Sequence, residues 1–346
     1  MDCPDRSPSA SRTHPVNALT GRLWPAHPKP LPDEILSSWI VRVARANGLK
    51  LQTFCDFAFG KDHQLWNRDI DRLAPEWLLR QLAARTGTGI VRVRKATLRI
   101  YEGLFYEHWR LSGQLRWILC TGVYHRKRTL FGMQFCPQCL REDAEPYFRT
   151  HWRVAVLTFC SKHLVALHDR CPACGSAVAF HRRELGRPQI VETGPLCLCH
   201  ACEFDLRQAH SLPFEFYDDD IRSLLFDVAD SATVKPSSVN LGWLAVLHQL
   251  CKVMVSAHKA SDLATFVVNA TEFENYAVPH GRYAFESRPI EERSRIIRLG
   301  VWLLANPQER IPSAWQAKAV RYNRLVKDFP SAPAWYYSIV RPLNRR

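Results

Sequence analysis

Apolar positions recur at helical spacing over much of the chain, and this pattern predicts a mainly α-helical protein. The first apolar stripe predicts a helix that is capped by Asp33 and ends at Ala46. A second helix is predicted over Leu51–Phe59, closed by Gly60. Two helices joined by a short turn are the arrangement of a helix-turn-helix motif. A plain helical hairpin fits the pattern equally well.

A second pair of helices is predicted further along the chain, and it carries more positive charge. Pro75 suits the first turn of one helix, residues 86–89 form the turn, and residues 90–99 follow as the other helix. If residues 90–99 form a helix, Arg92, Lys95 and Arg99 lie on one face at positions i, i+3 and i+7, as cations do on a DNA-recognition helix. Residues 90–94 also alternate like a strand, and we favour the helix. The predicted DNA contacts of this unit are Arg92, Arg94, Lys95 and Arg99.

The last third of the chain is also predicted to be helical. Asp218, Asp219 and Asp220 precede Ile221 and are placed to cap a helix there, and residues 240–258 and 290–305 have amphipathic helical patterns. These segments predict a helical unit that follows the cysteine-rich part of the chain.

Two further basic segments are candidate DNA contacts. Residues 312–320 predict a helix, residues 321–323 break it, and residues 324–329 continue it. This is a third candidate helix-turn-helix, with a basic helical cap as the alternative. Residues 125–128 are an isolated basic cluster that fits either a phosphate contact or a solvated loop. The predicted contacts are Lys318, Arg321, Arg324 and Lys327, together with Arg126, Lys127 and Arg128.

Cysteine spacing adds a second kind of chemistry. The chain has twelve cysteines, and eight of them lie between Cys136 and Cys202. The first set has the spacing C-x2-C-x20-C-x2-H, and the second has C-x2-C-x24-C-x2-C. Two residues between ligands allow a tight turn to direct both side chains at one point, so each set predicts a closed tetrahedral zinc site. The predicted ligands are Cys136, Cys139, Cys160 and His163 for one ion, and Cys171, Cys174, Cys199 and Cys202 for the other.

The second set leaves alternatives open. Cys197 could replace Cys199, and His200 could replace a thiol; Cys199 is preferred because it reproduces the two-residue spacing. Buried free cysteines would also explain the sequence, and so would a catalytic zinc site. A catalytic site usually keeps an open coordination position, whereas each set here already has four ligands.

Net charge and the pattern of apolar runs indicate what kind of partner and which compartment to expect. The formal net charge is +14 over 346 residues, which favours a polyanionic partner such as nucleic acid or an anionic membrane. No apolar run is long enough to span a bilayer, and the first 30 residues have no apolar signal region. We therefore expect a cytoplasmic protein whose cysteines are thiols or metal ligands.

Several of these motifs together resemble one known family. They are Leu31 to Trp39 with Ala44 and Asn47-Gly48, Phe135 to Leu140, Glu145 to Arg149, Trp152-Arg153, Cys160 to His163 and Asp169 to Gly175. This pattern resembles the TniQ family, well over residues 31–210 and more loosely at Val320 to Tyr322 and Pro333 to Tyr336.

The resemblance implies a role in target-site selection for DNA transposition in bacteria, at the nucleoid. Members of the family recognise an attachment site or dock on an RNA-guided CRISPR effector. They then recruit an AAA+ ATPase and the transposase, and some form homodimers. Strand transfer belongs to a different protein, which agrees with the lack of a recognisable catalytic site in this sequence.

The combined interpretation is a mainly α fold with small zinc-binding β elements. We expect a flexible arm over residues 1–30, a helix-turn-helix-like domain over 31–132, tandem zinc fingers over 133–207 and a helical, helix-turn-helix-like domain over 208–346. The expected function is a non-enzymatic target-selection adaptor. The alternatives are an adaptor that contacts only an acidic protein or guide RNA, a zinc-containing transcription regulator, and a zinc-dependent hydrolase or nuclease.

Overall fold

The computed structural model describes residues 19, 21–124, 127–128, 130–184, 194–216, 218–255, 261–271 and 284–344. Helices dominate this part of the chain and its strands are short, as predicted. No helix among these residues is long and apolar enough to cross a membrane. The helix-turn-helix assignments stay predictions.

The N-terminal region is a group of short helices: α1 (Leu36–Ala46), α2 (Leu51–Phe59), α3 (Ile70–Leu73), α4 (Glu76–Thr86) and α5 (Ile90–Lys95). The predicted bounds of α2 are confirmed, and Gly60 follows it at a φ of 94°. Residues 90–95 are helical rather than extended, which confirms the choice of a helix there, although α5 ends before Arg99.

The start of α1 differs from the prediction. Its N-cap residue is Ile35, without a side-chain cap, and Asp33 lies before it at a φ of 55°. The free N–H groups of the first turn are satisfied by distant parts of the chain. Those of Ile35, Leu36 and Ser37 donate to Phe148 O at 2.9 Å, Ala96 O at 2.8 Å and Asp71 Oδ1 at 2.8 Å. Tertiary contacts therefore replace the expected Asp33 cap.

The segment 21–30 is packed against these helices. Trp24 is 1% exposed, and its ring meets that of Phe54 edge-on with 4.9 Å between the ring centroids. The backbone N–H of Trp24 donates to Arg85 O at 2.9 Å. Asn47 exchanges two hydrogen bonds with the backbone of Ala26, at 3.1 and 2.6 Å. Residues 21–30 are thus packed where a flexible arm was expected, and residues 1–18 and 20 of that arm lie outside the described residues.

Replacing Trp24 by alanine should destabilise the protein by about 3–5 kcal/mol, because the substitution leaves a large cavity between the aromatic rings. Leu23→Ala is the matched control, since Leu23 is 42% exposed, and it should cost less than about 1 kcal/mol. Urea unfolding of both variants measures the difference. Equal stability of the two variants would show that the segment does not belong to the folded core.

In the described residues, the middle of the chain has one α-helix, α6 (Pro137–Glu142), and two antiparallel strand pairs: β1 (Val123–Tyr124) with β2 (Lys127–Arg128), and β3 (Phe159–Cys160) with β4 (Val165–Ala166). An isolated bridge joins Phe135 and His168 through two hydrogen bonds of 2.8 and 2.9 Å. This bridge holds the segment before α6 beside the one that follows β4.

The C-terminal region consists of α7 (Asp219–Ala232), α8 (Leu241–Met254), α9 (Asp262–Ala270), α10 (Ile290–Ala305), α11 (Pro307–Gln316), α12 (Tyr322–Val326) and α13 (Ala334–Val340). The side chain of Asp218 accepts from the N–H of Asp220 at 2.7 Å, which confirms the predicted cap. Helix α10 packs on α7, α8 and α9. A Cβ at Gly300 would lie 2.7 Å from Leu247 Cδ1, so glycine is required for the approach of α10 to α8.

The predicted helix over residues 312–320 is shifted. Helix α11 begins at Pro307, which suits its first turn, and includes Pro312. It ends at Gln316, and Lys318 follows in a left-handed conformation with a φ of 59°. The break predicted at residues 321–323 therefore comes earlier, and α12 already starts at Tyr322.

Buried arginines connect the three regions. Arg153, in the middle of the chain, is 1% exposed and pairs with Asp69 at 2.6 Å and Asp71 at 3.0 Å, beside α3. Arg293 on α10 is fully buried and donates to Ala155 O at 2.6 Å and Gln134 Oε1 at 2.9 Å. Each guanidinium thus holds the middle segment against one of the helical regions.

Candidate metal centres and basic surface

The first cluster brings together the four residues predicted from the C-x2-C and C-x2-H spacings. Cys136 caps α6 and Cys139 lies in its first turn, with Pro137 between them at the first helical position. Cys160 ends β3, and His163 lies in the turn to β4. The two elements face each other, so a helix start and a hairpin turn supply two side chains each.

The atoms of this cluster are spaced as zinc ligands are. Cys139 Sγ and Cys160 Sγ are 3.7 Å apart, and His163 Nδ1 is 3.4, 3.4 and 3.5 Å from the Sγ atoms of Cys136, Cys139 and Cys160. A tetrahedral zinc ion with ordinary bond lengths requires about 3.8 Å between two sulfurs and about 3.5 Å between sulfur and nitrogen. These residues therefore fit a zinc ion.

The second cluster is built from two similar turns. Gly175 has a φ of 71°, as expected at this position, and its N–H donates to Cys171 O at 2.9 Å. At the other turn Glu203 has a φ of 62°, and its N–H donates to Cys199 O at 3.0 Å. Cys171 Sγ lies 3.7 Å from Cys202 Sγ, and Cys174 Sγ lies 3.7 Å from Cys199 Sγ. Four thiols at this spacing also fit zinc.

Cys199, rather than Cys197, belongs to the second cluster. Cys197 is fully buried, and burial raises its thiol pKa to about 12, so it stays protonated. His200 is likewise not one of the four clustered residues.

Each cluster offers four nitrogen or sulfur ligands, and no carboxylate is among them. Cys136, Cys139, Cys160, Cys171 and Cys199 are buried, whereas Cys174 and Cys202 are exposed. A closed set of four such ligands is typical of a structural zinc site and leaves no coordination position for a substrate. The arrangement can thus hold two metal ions that stabilise the middle of the chain.

Comparison with known families identifies the region that contains the first cluster. Residues 25–167 match the TniQ family model. The match supports a TniQ assignment for this region of the chain. The TniQ domain includes all four residues of the first cluster and the packed segment from residue 25, whereas the second cluster lies beyond it. No curated protein matches the chain. The TniQ domain points to a transposition-associated protein that acts in target selection.

Three of the basic residues predicted as DNA contacts in residues 25–167 have protein partners. Arg92 donates to Pro30 O at 2.6 Å, and Arg94 pairs with Glu76. Because α5 ends early, Arg99 lies in the next 3-10 turn, where it donates to Ala74 O at 3.0 Å and lies 4.2 Å over the ring of Trp109. Lys95 is exposed. Arg99 therefore does not share one helical face with Arg92 and Lys95, as had been expected. Arg126 lies outside the described residues, and Lys127 and Arg128 form β2.

The four basic residues predicted near the C-terminus form an exposed segment. Lys318, Arg321, Arg324 and Lys327 are all exposed. Buried Gln249 on α8 donates to the carbonyl oxygens of Arg324 and Lys327, both at 3.1 Å, and so fixes the backbone that carries them. These four residues are called the C-terminal basic segment below.

Two groups beside this segment were not predicted from the sequence. A hydrogen bond to Tyr337 raises the pKa of the Tyr322 phenol, and the charge of Arg341 acts on the same phenol in the opposite direction. Tyr337 and Arg341 are on the surface. Their positions follow from the packing of α13 on α11, which the spacing of residues along the chain does not reveal.

Proposed function

We propose that this protein is a non-enzymatic adaptor in DNA transposition that binds target DNA and recruits an AAA+ ATPase and the transposase. The match of residues 25–167 to the TniQ family supports the transposition role. The net charge of +14 supports a polyanionic partner. Such a protein acts on DNA in the cytoplasm and selects the site while another protein performs strand transfer.

The proposal includes two structural zinc ions, held by the two clusters described above. The ligand spacing supports both ions. Zinc holds a helix start and short strand pairs in place in a region with little regular structure of its own. In this role each ion positions the surfaces that contact DNA and protein, and no ion takes part in a reaction.

We assign the principal DNA contact to the C-terminal basic segment, with the α5 residues as secondary contacts. Arg94 and Arg99 would have to give up Glu76 and Trp109 to bind a phosphate. By contrast, the C-terminal cations are exposed on a backbone that α8 fixes, so they reach a phosphate without losing such contacts. Positive side chains held in this way bind the DNA backbone and release its counterions.

Replacing Arg321 and Arg324 by alanine should weaken binding to duplex DNA by about tenfold or more at ~0.1 M salt, because two phosphate contacts are lost. The slope of log K against log salt should decrease in magnitude by about 2. Fluorescence anisotropy over a salt series measures both quantities.

The control for this experiment is Lys61→Ala with Arg80→Ala, which removes the same charge from exposed residues of the TniQ domain. An equal loss in both variants would show that net charge alone causes binding. Weak binding of the native protein to every duplex, together with stable binding to an RNA-guided effector, would instead favour an adaptor that contacts protein or guide RNA. Binding to a palindromic operator, without any ATPase recruitment, would favour a transcription regulator.

A further inference from the structure

The two ring nitrogens of His163 face different groups. Nδ1 lies 3.4 to 3.5 Å from the three sulfurs of the first cluster, whereas Nε2 lies 2.9 Å from Glu142 Oε1. If Nδ1 directs its lone pair at a metal ion, the proton of the neutral imidazole must be on Nε2. That N–H then donates to the carboxylate of Glu142.

Glu142 is itself held in position from two sides. It is the last residue of α6, the helix that Cys136 caps and whose first turn carries Cys139. Its other carboxylate oxygen, Oε2, accepts a hydrogen bond from Lys162 Nζ at 2.5 Å. One oxygen of the carboxylate thus meets Lys162 and the other meets His163. The helix therefore supplies two sulfurs at one end and the partner of the histidine at the other.

We propose that Glu142 is a positioning residue for the first metal site, and the proposal rests on the zinc function given above. It fixes the tautomer and the ring orientation of His163, and its negative charge makes Nδ1 a stronger ligand. The second cluster, with four thiols, has no histidine that requires such a partner. Glu142 should thus affect one of the two sites and leave the other unchanged.

The test is Glu142→Gln in the full chain, titrated with a zinc chelator of known affinity. We expect about 10–100-fold weaker binding at one of two sites, because the amide keeps the size of the side chain but not its charge. The Cys171, Cys174, Cys199 and Cys202 site in the same molecule is the internal control. Two sites of unchanged affinity would overturn the proposal, and so would equal weakening of both, since that indicates a general loss of stability.

A spectroscopic measurement separates positioning from folding. In the native zinc-bound protein, NMR of the imidazole nitrogens of His163 should show Nδ1 bound to the metal and Nε2 protonated. In Glu142→Ala the Nε2 proton should exchange with solvent faster. Lys162→Ala, which leaves Glu142 and His163 intact, should change the exchange rate less. If native protein contains no zinc by elemental analysis, the zinc function itself fails; if it contains two ions and Nε2 exchange is the same in Glu142→Ala, only the role of Glu142 fails.

Discussion

Replacing Cys139 and Cys174 by serine together should release both zinc ions and unfold the middle of the chain. Each serine removes one thiolate from a set of four, and apparent free energies of structural zinc binding are about 10–16 kcal/mol, which exceeds the usual stability of a domain. Elemental analysis should find two ions per native chain and fewer than one in the variant. Circular dichroism should show loss of a cooperative thermal transition in the variant.

Cys120→Ser is the matched control for this experiment. Cys120 is half-buried and belongs to neither cluster, and its Sγ accepts a 3.4 Å hydrogen bond from Gly122 N–H, which a serine oxygen can also accept. The control should keep two ions and its thermal transition. A double variant that still held two ions would show that the two clusters are not the metal sites.

Replacing Arg153 by alanine should destabilise the protein by about 3–5 kcal/mol. The substitution removes the partner of Asp71, which is 4% exposed, and of Asp69 beside it. The buried carboxylate of Asp71 and the partly buried carboxylate of Asp69 then lose the cation that neutralises them, and the hydrogen bond from Arg153 to Leu119 O at 2.9 Å is also lost. Urea unfolding monitored by tryptophan fluorescence measures the loss.

A compensating variant tests whether the unpaired charge is the cause. Arg153→Met combined with Asp71→Asn removes a negative and a positive charge together and keeps an acceptor for the N–H of Ser37. It should recover a substantial part of the stability lost in Arg153→Ala. If the combined variant is as unstable as the single one, the loss comes from packing rather than from charge.

Short-range patterns correctly predicted which residues gather in the two clusters that could each hold a metal ion. A two-residue spacing acts within a single turn, so the pairs at Cys136 and Cys171 bring their own ligands together before any tertiary contact forms. The same holds for α2, because its nine residues and the Gly60 that closes it follow one another in the sequence. The TniQ resemblance, which rests largely on such motifs, is confirmed over residues 25–167.

Predictions that depended on distant partners were less successful. Asp33 was a reasonable local cap for α1, but the N–H groups of that helix are bound by Phe148, Ala96 and Asp71. The lack of periodicity before residue 30 suggested a flexible arm, yet Trp24 packs in the aromatic core and Asn47 bonds to Ala26, so residues 21–30 are held in place. These contacts come from distant parts of the chain, and a local pattern does not show them.

Helical periodicity and ligand spacing therefore determine the helical class of the protein and the membership of both metal clusters, because these features depend on residues only a few positions apart. The tertiary structure decides which cations face solvent and which are held by Glu76 or Trp109. It also decides that Glu142 meets His163 across 21 residues of sequence. Such contacts form only when separate helices and turns pack, and local spacing carries no information about that packing.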